Sequence, residues 1–79
     1  MNNERSEHLK LWDLIDKVAY VNKMSVSALA KKAGLDATTF NKSKRFYSSG
    51  QPRWPSTESL FKVIESLDMS WKYFFEYFD

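Results

Sequence analysis

Two helix-start signals on either side of a glycine constrain this chain more than any other feature. Ser25 and Asp36 have side-chain oxygens that can accept a hydrogen bond from a free amide in the first turn of a helix. Each is flanked by an apolar pair at the spacing of a hydrophobic staple, Met24 with Leu29 and Leu35 with Phe40. Gly34 tolerates the left-handed backbone that ends a helix. The sequence therefore predicts a helix-turn-helix unit at about residues 25–45.

The scaffold of this unit is predicted from side-chain size and spacing. Ala30 is small enough for close packing at the corner, and Phe40 is placed in the core. The full scaffold set is Leu29, Ala30, Gly34, Leu35 and Phe40.

The second helix of the unit is predicted to run from Ala37 to about Arg45. With Phe40 pointing inward, steps of about 100° per residue place one set of side chains on the opposite face. That set is Thr38, Asn41, Lys42 and Arg45. All can donate hydrogen bonds and none is acidic, whereas a purely solvated helix face usually mixes glutamates with its lysines.

The whole chain, residues 1–79, is predicted to be one all-α domain of five short helices. A chain of 79 residues can bury only one core. The predicted helices are Ser6–Val21, ended by Asn22 in the left-handed conformation, then Val26–Ala33, Ala37–Arg45, a fourth that Ser56 caps and a fifth that opens at Ser70.

Charge is distributed unevenly along the chain. The net charge of +2 is the sum of +2 over residues 1–35, +3 over residues 36–55 and −3 over residues 56–79. A basic middle beside an acidic end is typical of a molecule with one face for an anionic partner. The alternative is that these charges are simply scattered over a small domain.

The turn-rich loop at residues 46–55 adds two candidates. Arg53 is free to contact a ligand. Trp54 is interpreted as a lid that covers the core, with direct ligand contact as the alternative.

The residue types that catalysis needs form no constellation in this sequence. His8, the only histidine, lies at the edge of the first helix and is expected at the surface or at the helix start. There is no cysteine, and the two glycines stand apart, so the sequence offers no thiolate metal site and no phosphate-cradling glycine loop. No apolar run is long enough to span a membrane, and the polar start lacks a secretory signal. We therefore expect a cytoplasmic protein that is not an enzyme and has no cofactor, metal or membrane partner.

The last helix carries more aromatic surface than its own core needs. Trp71, Phe74, Phe75 and Phe78 are predicted on one face, and Tyr73 and Tyr77 on another. This excess indicates an interface with a second copy or with a missing downstream segment. The candidate contacts are Trp71, Tyr73 and Tyr77.

From about Leu11 to Phe75 the chain resembles a known family. The stretch SALAKKAGLDATTFNKSKR resembles the helix-turn-helix of lambda-repressor-like bacterial and phage transcriptional regulators, and RWPSTESLFKVIESL is similar to a variant found in self-cleaving, SOS-repressor-like regulators. The resemblance implies a five-helix lambda-repressor-like fold. It also implies sequence-specific binding of double-stranded DNA by a homodimer, as a regulator that we expect to be a repressor, with the third helix in the major groove.

The resemblance also assigns roles to individual residues. Thr38 and Asn41 suit hydrogen bonds to base edges, Ala37 or the Thr38 methyl suits a thymine methyl, and Lys42 suits a guanine edge or a phosphate. Lys44, Arg45 and Arg53 are assigned to phosphates. The full set of expected DNA-binding residues is Ala37, Thr38, Thr39, Asn41, Lys42, Lys44, Arg45 and Arg53.

Two expectations stay open at the level of sequence. The peptidase-like carboxy-terminal domain of the self-cleaving regulators is missing from these 79 residues, so the chain is expected to be either an excised DNA-binding domain or a short stand-alone regulator. The second hypothesis for function is a protein-interaction module, antitoxin-like or a phage helical protein, that acts through its aromatic last helix.

Overall fold

The computed structural model describes residues 4–77, with side chains from Glu7 onward. Within this range the chain forms four α-helices and one short 3₁₀ helix. The α-helices are α1 (Glu4–Val21), α2 (Val26–Lys32), α3 (Thr57–Ser66) and α4 (Trp71–Phe75), and the 3₁₀ helix is Lys42–Lys44. The all-α prediction is confirmed, whereas five α-helices are not found in the described range.

The core is built from one face of α1 and the inner faces of the other helices. Trp12, Ile15 and Val18 recur at helical spacing along α1 and are buried. The remaining buried apolar side chains are Leu14, Ala19, Leu29, Ala30, Phe40, Leu60, Val63, Ile64 and Phe74. Phe40 is fully buried, as its scaffold role requires, although it lies outside any helix.

Serine side chains begin three of the four α-helices, and these predictions are confirmed. The Oγ atoms of Ser25, Ser56 and Ser70 accept hydrogen bonds from the amides of Ala28, Ser59 and Tyr73, at 3.1, 3.0 and 3.0 Å. Each bond satisfies an amide that has no partner within its own helix.

Three helices end in the same way, with a left-handed residue and then an apolar one. At the Gly34 corner the amide of Leu35 donates to the Ala30 carbonyl at 2.9 Å and that of Gly34 to the Lys31 carbonyl at 3.0 Å. This is a Schellman motif, and Gly34 has φ +78° as predicted. The same pair of bonds recurs at Lys23 (φ 59°) and at Asp68 (φ 54°).

The first of these corners differs from the prediction, which placed Asn22 in the left-handed conformation. The left-handed residue is Lys23, one position later. The Asn22 side chain instead donates to the Val18 carbonyl at 2.8 Å and so satisfies a free carbonyl of the last turn of α1.

The predicted third helix is absent. Residues 37–40 form turns, Asn41 is extended (ψ 154°), and only Lys42–Lys44 form a 3₁₀ helix. In an α-helix the Phe40 carbonyl would accept from the Lys44 amide. Here that carbonyl accepts from Arg45 Nη2 at 3.1 Å, and the Lys44 amide donates to the Asn41 carbonyl at 2.9 Å.

Side-chain hydroxyls compete with the backbone at the start of the same segment. Thr38 Oγ1 donates to Asp36 Oδ1 at 2.7 Å, and Thr39 Oγ1 donates to the Asp36 carbonyl at 2.6 Å. Short polar and β-branched side chains favour such local bonds over a continuing helix. Asp36 therefore acts as a cap, as predicted, because its Oδ1 also accepts from the Thr38 amide at 2.9 Å, but it caps a turn.

The connection to α3 is more regular than a loop. The Arg53 amide donates to the Arg45 carbonyl at 3.0 Å, and the Tyr47 amide donates to the Gln51 carbonyl at 2.9 Å. Phe46 and Pro52 form an isolated antiparallel bridge between these bonds. Gly50, with φ +90°, closes the turn at the tip. The chain thus returns on itself in a hairpin that brings Arg53 beside Arg45.

Candidate nucleic-acid interface

Arg45 does not face outward, and that prediction is wrong. Its side chain is buried (9% exposed) and makes a bidentate ion pair with Asp16 of α1. The Nη1···Oδ2 distance is 2.9 Å and the Nη2···Oδ1 distance is 2.8 Å. The guanidinium also lies 5.0 Å from the centre of the Trp12 ring. Arg45 therefore attaches residues 36–45 to α1, because its Nη1 and Nη2 atoms donate to Asp16 and to the Phe40 carbonyl.

The other cations between α1 and α3 lack carboxylate partners. Among the described residues, no carboxylate lies within ion-pair distance of Lys23, Lys31, Lys32, Lys42, Lys44 or Arg53. All of these side chains are exposed except that of Lys44, which is half-buried. We call this set the unpaired basic set.

Cations elsewhere are mostly neutralised on their own helix. Lys10 lies 3.8 Å from Glu7, Lys17 lies 3.7 Å from Asp13, and Lys62 lies 3.5 Å from Glu58. Arg45 is the one cation of residues 36–55 with a carboxylate partner among the described residues, so most of the excess positive charge of this segment stays unpaired in the folded protein.

Three of the predicted DNA-binding residues come together around one cavity of about 210 Å³. They are Thr39, Lys44 and Arg53. The other lining residues are Trp12, Phe40, Trp54, Pro55, Ser56 and Ser59. None of the lining residues is acidic, so the cavity is a positively charged site.

The position of Arg53 is fixed by α1. Its carbonyl accepts from Trp12 Nε1 at 2.9 Å and lies 3.0 Å from His8 Nε2. Trp12 Nε1 also lies 3.1 Å from His8 Nε2, so both rings and the Arg53 carbonyl are in mutual contact. The Arg53 guanidinium lies 5.4 Å from the centre of the Tyr47 ring. The guanidinium therefore lies against an aromatic face, and it donates no hydrogen bond to any other described residue.

His8 was expected at the surface and is instead fully buried, so that prediction is wrong. Its ring contacts Phe46 and Trp54 edge-on, with centroids 4.9 and 5.5 Å away. The available signal was its spacing from Trp12 and Ile15, which continues the inward stripe of α1. Trp54 covers His8 and also lines the cavity, so both interpretations of Trp54 fit its position.

The remaining predicted base-contacting residues differ in what they can still donate. The hydroxyl protons of Thr38 and Thr39 are used within the segment, which leaves only their lone pairs for a partner. Lys42 is exposed, Asn41 and Ala37 are half-buried, and the Asn41 side chain makes no hydrogen bond within the described residues. Of the residues predicted to contact bases, Asn41 and Lys42 are therefore the ones that can still donate a hydrogen bond.

Asp36 is the one carboxylate within residues 36–55. Its pKa is held below the ordinary value, chiefly by the hydrogen bond from the Thr38 hydroxyl and then by that from the Thr38 amide, with the charge of Lys44 adding to them. The carboxylate is thus committed to the turn.

The aromatic end of the molecule presents a row of three rings. Trp71 stacks on Phe61 and on Phe75, with centroids 6.3 and 6.0 Å apart, and the three side chains are 47% (Phe61), 39% (Trp71) and 39% (Phe75) exposed. Phe74 does not share their face, contrary to prediction, because it is fully buried in the core. Phe78 lies outside the described residues. We call Phe61, Trp71 and Phe75 the aromatic row.

The two tyrosines of the predicted contact lie beside the row. Tyr73 is exposed, and Tyr77 packs partly against the core. Their rings meet edge-on with centroids 5.7 Å apart, and their hydroxyls are 3.4 Å apart.

No group of three or more His, Cys, Asp or Glu residues within 4–77 is arranged to hold a metal ion. No helix in that range is long and apolar enough to cross a membrane. No protein-family model, curated protein sequence or solved structure matches the chain.

Proposed function

We propose that this protein binds double-stranded DNA in a sequence-specific manner through residues 36–55, as a transcriptional regulator, and acts in the cytoplasm. The observation that supports this most strongly is the unpaired basic set. Cations without carboxylate partners keep their full attraction for phosphates, and the release of counterions from DNA adds to the affinity. The resemblance of residues 25–45 to lambda-repressor-like regulators supports duplex DNA over other anions.

In this proposal the residues after the Gly34 corner have different roles in DNA binding. Asn41 and Lys42 contact base edges, where Asn suits adenine and Lys suits guanine. Thr38 and Thr39 act only as hydrogen-bond acceptors, for example from the amino group of adenine or cytosine. The Ala37 methyl is left for a thymine methyl. Arg45 contacts no DNA, because Asp16 and the Phe40 carbonyl occupy its guanidinium.

The proposed partner set includes a second copy of this chain on the DNA. A dimer would place one segment in each half-site, so the preferred operator is expected to be a palindrome. A peptidase-like domain joined to this one would be a further part of such a regulator.

Selection of bound sequences from random duplex DNA tests the proposal. We expect a palindromic motif, and we expect the Lys42→Gln variant to relax the preference at one position in each half-site. Lys62→Gln, which removes a cation that Glu58 neutralises, is the matched control and should select the same motif. Enrichment of no motif, or the same motif from the Lys42 variant, would contradict sequence-specific reading by this segment.

A second candidate function is capture of a protein partner by the aromatic row. The exposure of three stacked rings favours it, because large exposed aromatic side chains are enriched at protein interfaces. In that case Trp71→Ala should abolish the function, while Lys42→Gln leaves it intact. Both variants are read in the same cell-based assay of regulation, so opposite outcomes separate the two candidates.

A further inference from the structure

The cavity beside Arg53 has the features of a binding site for one small anion. Lys44 and Arg53 line it, no lining residue is acidic, and neither cation has a carboxylate within ion-pair distance among the described residues. Two positive charges beside one cavity repel each other, and an anion between them offsets this repulsion because it attracts both. The charge therefore indicates an anionic ligand.

The size of the cavity is compatible with a small ligand. A volume of about 210 Å³ accommodates a tetrahedral oxyanion together with water molecules.

A buried hydroxyl completes the donor set. Ser59 is nine-tenths buried and lines the cavity. The Ser56 hydroxyl donates to Ser59 Oγ at 2.9 Å, so the Ser59 hydroxyl keeps its own proton for an acceptor in the cavity. Thr39, whose proton goes to the Asp36 carbonyl, contributes no donor.

Arg53 is held in place before any ligand arrives. Its carbonyl is fixed by Trp12 and its guanidinium by the face of Tyr47. A cation that is already ordered loses less conformational entropy on binding.

We propose that this cavity is a phosphate pocket. Arg53 and Lys44 each bind an oxygen of one phosphate group, and the Ser59 hydroxyl donates a hydrogen bond to a third oxygen of the same group. The phosphate can belong to a DNA backbone or to a small phosphate-bearing molecule. The first source rests on the DNA-binding function proposed above, and the second does not.

The test is a titration of the whole, isotope-labelled chain with inorganic phosphate at constant ionic strength, followed by amide NMR. We expect saturable shifts confined to the residues around the cavity. Arg53→Gln should weaken phosphate binding about tenfold, because hydrogen bonds to charged groups are the strong ones. Ser59→Ala should weaken it less. Lys31→Gln, which removes an unpaired cation outside the cavity, is the matched control and should leave the binding nearly unchanged.

A second arm adds a short DNA duplex under the same conditions and separates the two sources. If phosphate displaces the duplex from the wild-type chain, the pocket takes a backbone phosphate. If phosphate binds in the pocket but no duplex binds, the pocket proposal is supported with a small phosphate-bearing molecule as its ligand. In that case only the DNA-binding proposal fails. The pocket is overturned if phosphate gives no localised shifts, or if Lys31→Gln weakens binding as much as Arg53→Gln.

Discussion

The segment at residues 36–55 and the segment at residues 56–77 differ in how they treat charge and apolar surface. In the first, Lys42, Lys44 and Arg53 have no carboxylate within ion-pair distance among the described residues, and Phe40 is buried. The second neutralises Lys62 with Glu58 and exposes the aromatic row. The two segments therefore differ in surface chemistry, since the first is rich in unpaired cations and the second in exposed aromatic rings.

The same kind of corner leads into residues 36–45 and into α4. Gly34, Leu35 and Asp36 correspond to Asp68, Met69 and Ser70, with a left-handed residue, an apolar residue and a cap in each. Yet α4 follows Ser70, whereas turns and a 3₁₀ helix follow Asp36. The corner therefore sets the direction of the chain, and the residues after it decide whether a helix forms.

The largest expected effect is on the attachment of the basic segment. Arg45→Ala removes the bidentate ion pair with Asp16 and the hydrogen bond to the Phe40 carbonyl. Because this leaves the Asp16 carboxylate without its partner, we expect the free energy of unfolding to fall by about 3 kcal/mol. Lys62→Ala removes a surface pair with Glu58 and should change stability by less than about 1 kcal/mol. Urea unfolding followed by circular dichroism measures both, and equal losses would show that Arg45 does not anchor the segment.

The two corners should respond in opposite directions to a change at their left-handed residue. Gly34→Ala forces a side chain into φ +78° and should destabilise the protein by about 1–2 kcal/mol, although nothing lies within 4 Å of the added carbon. Asp68→Gly relieves the same strain at φ 54° and should stabilise it by a few tenths to about 1 kcal/mol. Thermal melts of both variants give the signs. A destabilised Asp68→Gly would show that the Asp68 side chain has a role of its own.

The smallest expected effect is a difference between the Asp36 and Ser70 caps in how their contribution to stability depends on pH. Because the pKa of Asp36 is lowered in the folded state, its ionised form adds stability above the ordinary value of 3.8, and that contribution is lost as the pH falls through the folded value. Asp36→Asn should remove this part of the acid dependence.

The cap at Ser70 has no such dependence. Ser70→Ala should cost about 1 kcal/mol at every pH, since the serine hydroxyl does not titrate in this range. Unfolding curves measured on both sides of pH 4 compare the two variants, and an identical acid response of Asp36→Asn and wild type would contradict the assigned role of Asp36.

Short-range features of the fold could be predicted from the sequence. The caps at Ser25, Ser56 and Ser70 and the turn at Gly34 depend on residues within one helical turn, and they are present as predicted. The prediction of a helix over residues 37–45 was wrong because a buried Phe40 is compatible with a turn as well as with a helix.

The features that the sequence did not predict depend on contacts between residues far apart in the chain. Arg45 is turned inward by Asp16, and His8 is buried beside the Arg53 carbonyl. Neither partner lies within the window over which helical periodicity acts, so no local pattern could identify them. The cavity was missed for the same reason, because Trp12, Lys44, Arg53 and Ser59 come from separate parts of the chain.

The most direct test of an anion-binding surface on residues 36–55 is the salt dependence of binding to a duplex of about one helical turn, which is about 10 base pairs. Each phosphate contact contributes about −0.9 to the slope of log K against log salt concentration. We expect Lys44→Gln and Arg53→Gln each to reduce the magnitude of the slope by about 0.9, while Lys62→Gln and Trp71→Ala leave it unchanged. A slope that is the same in all four variants and in the wild type would contradict the assignment of DNA binding to this surface.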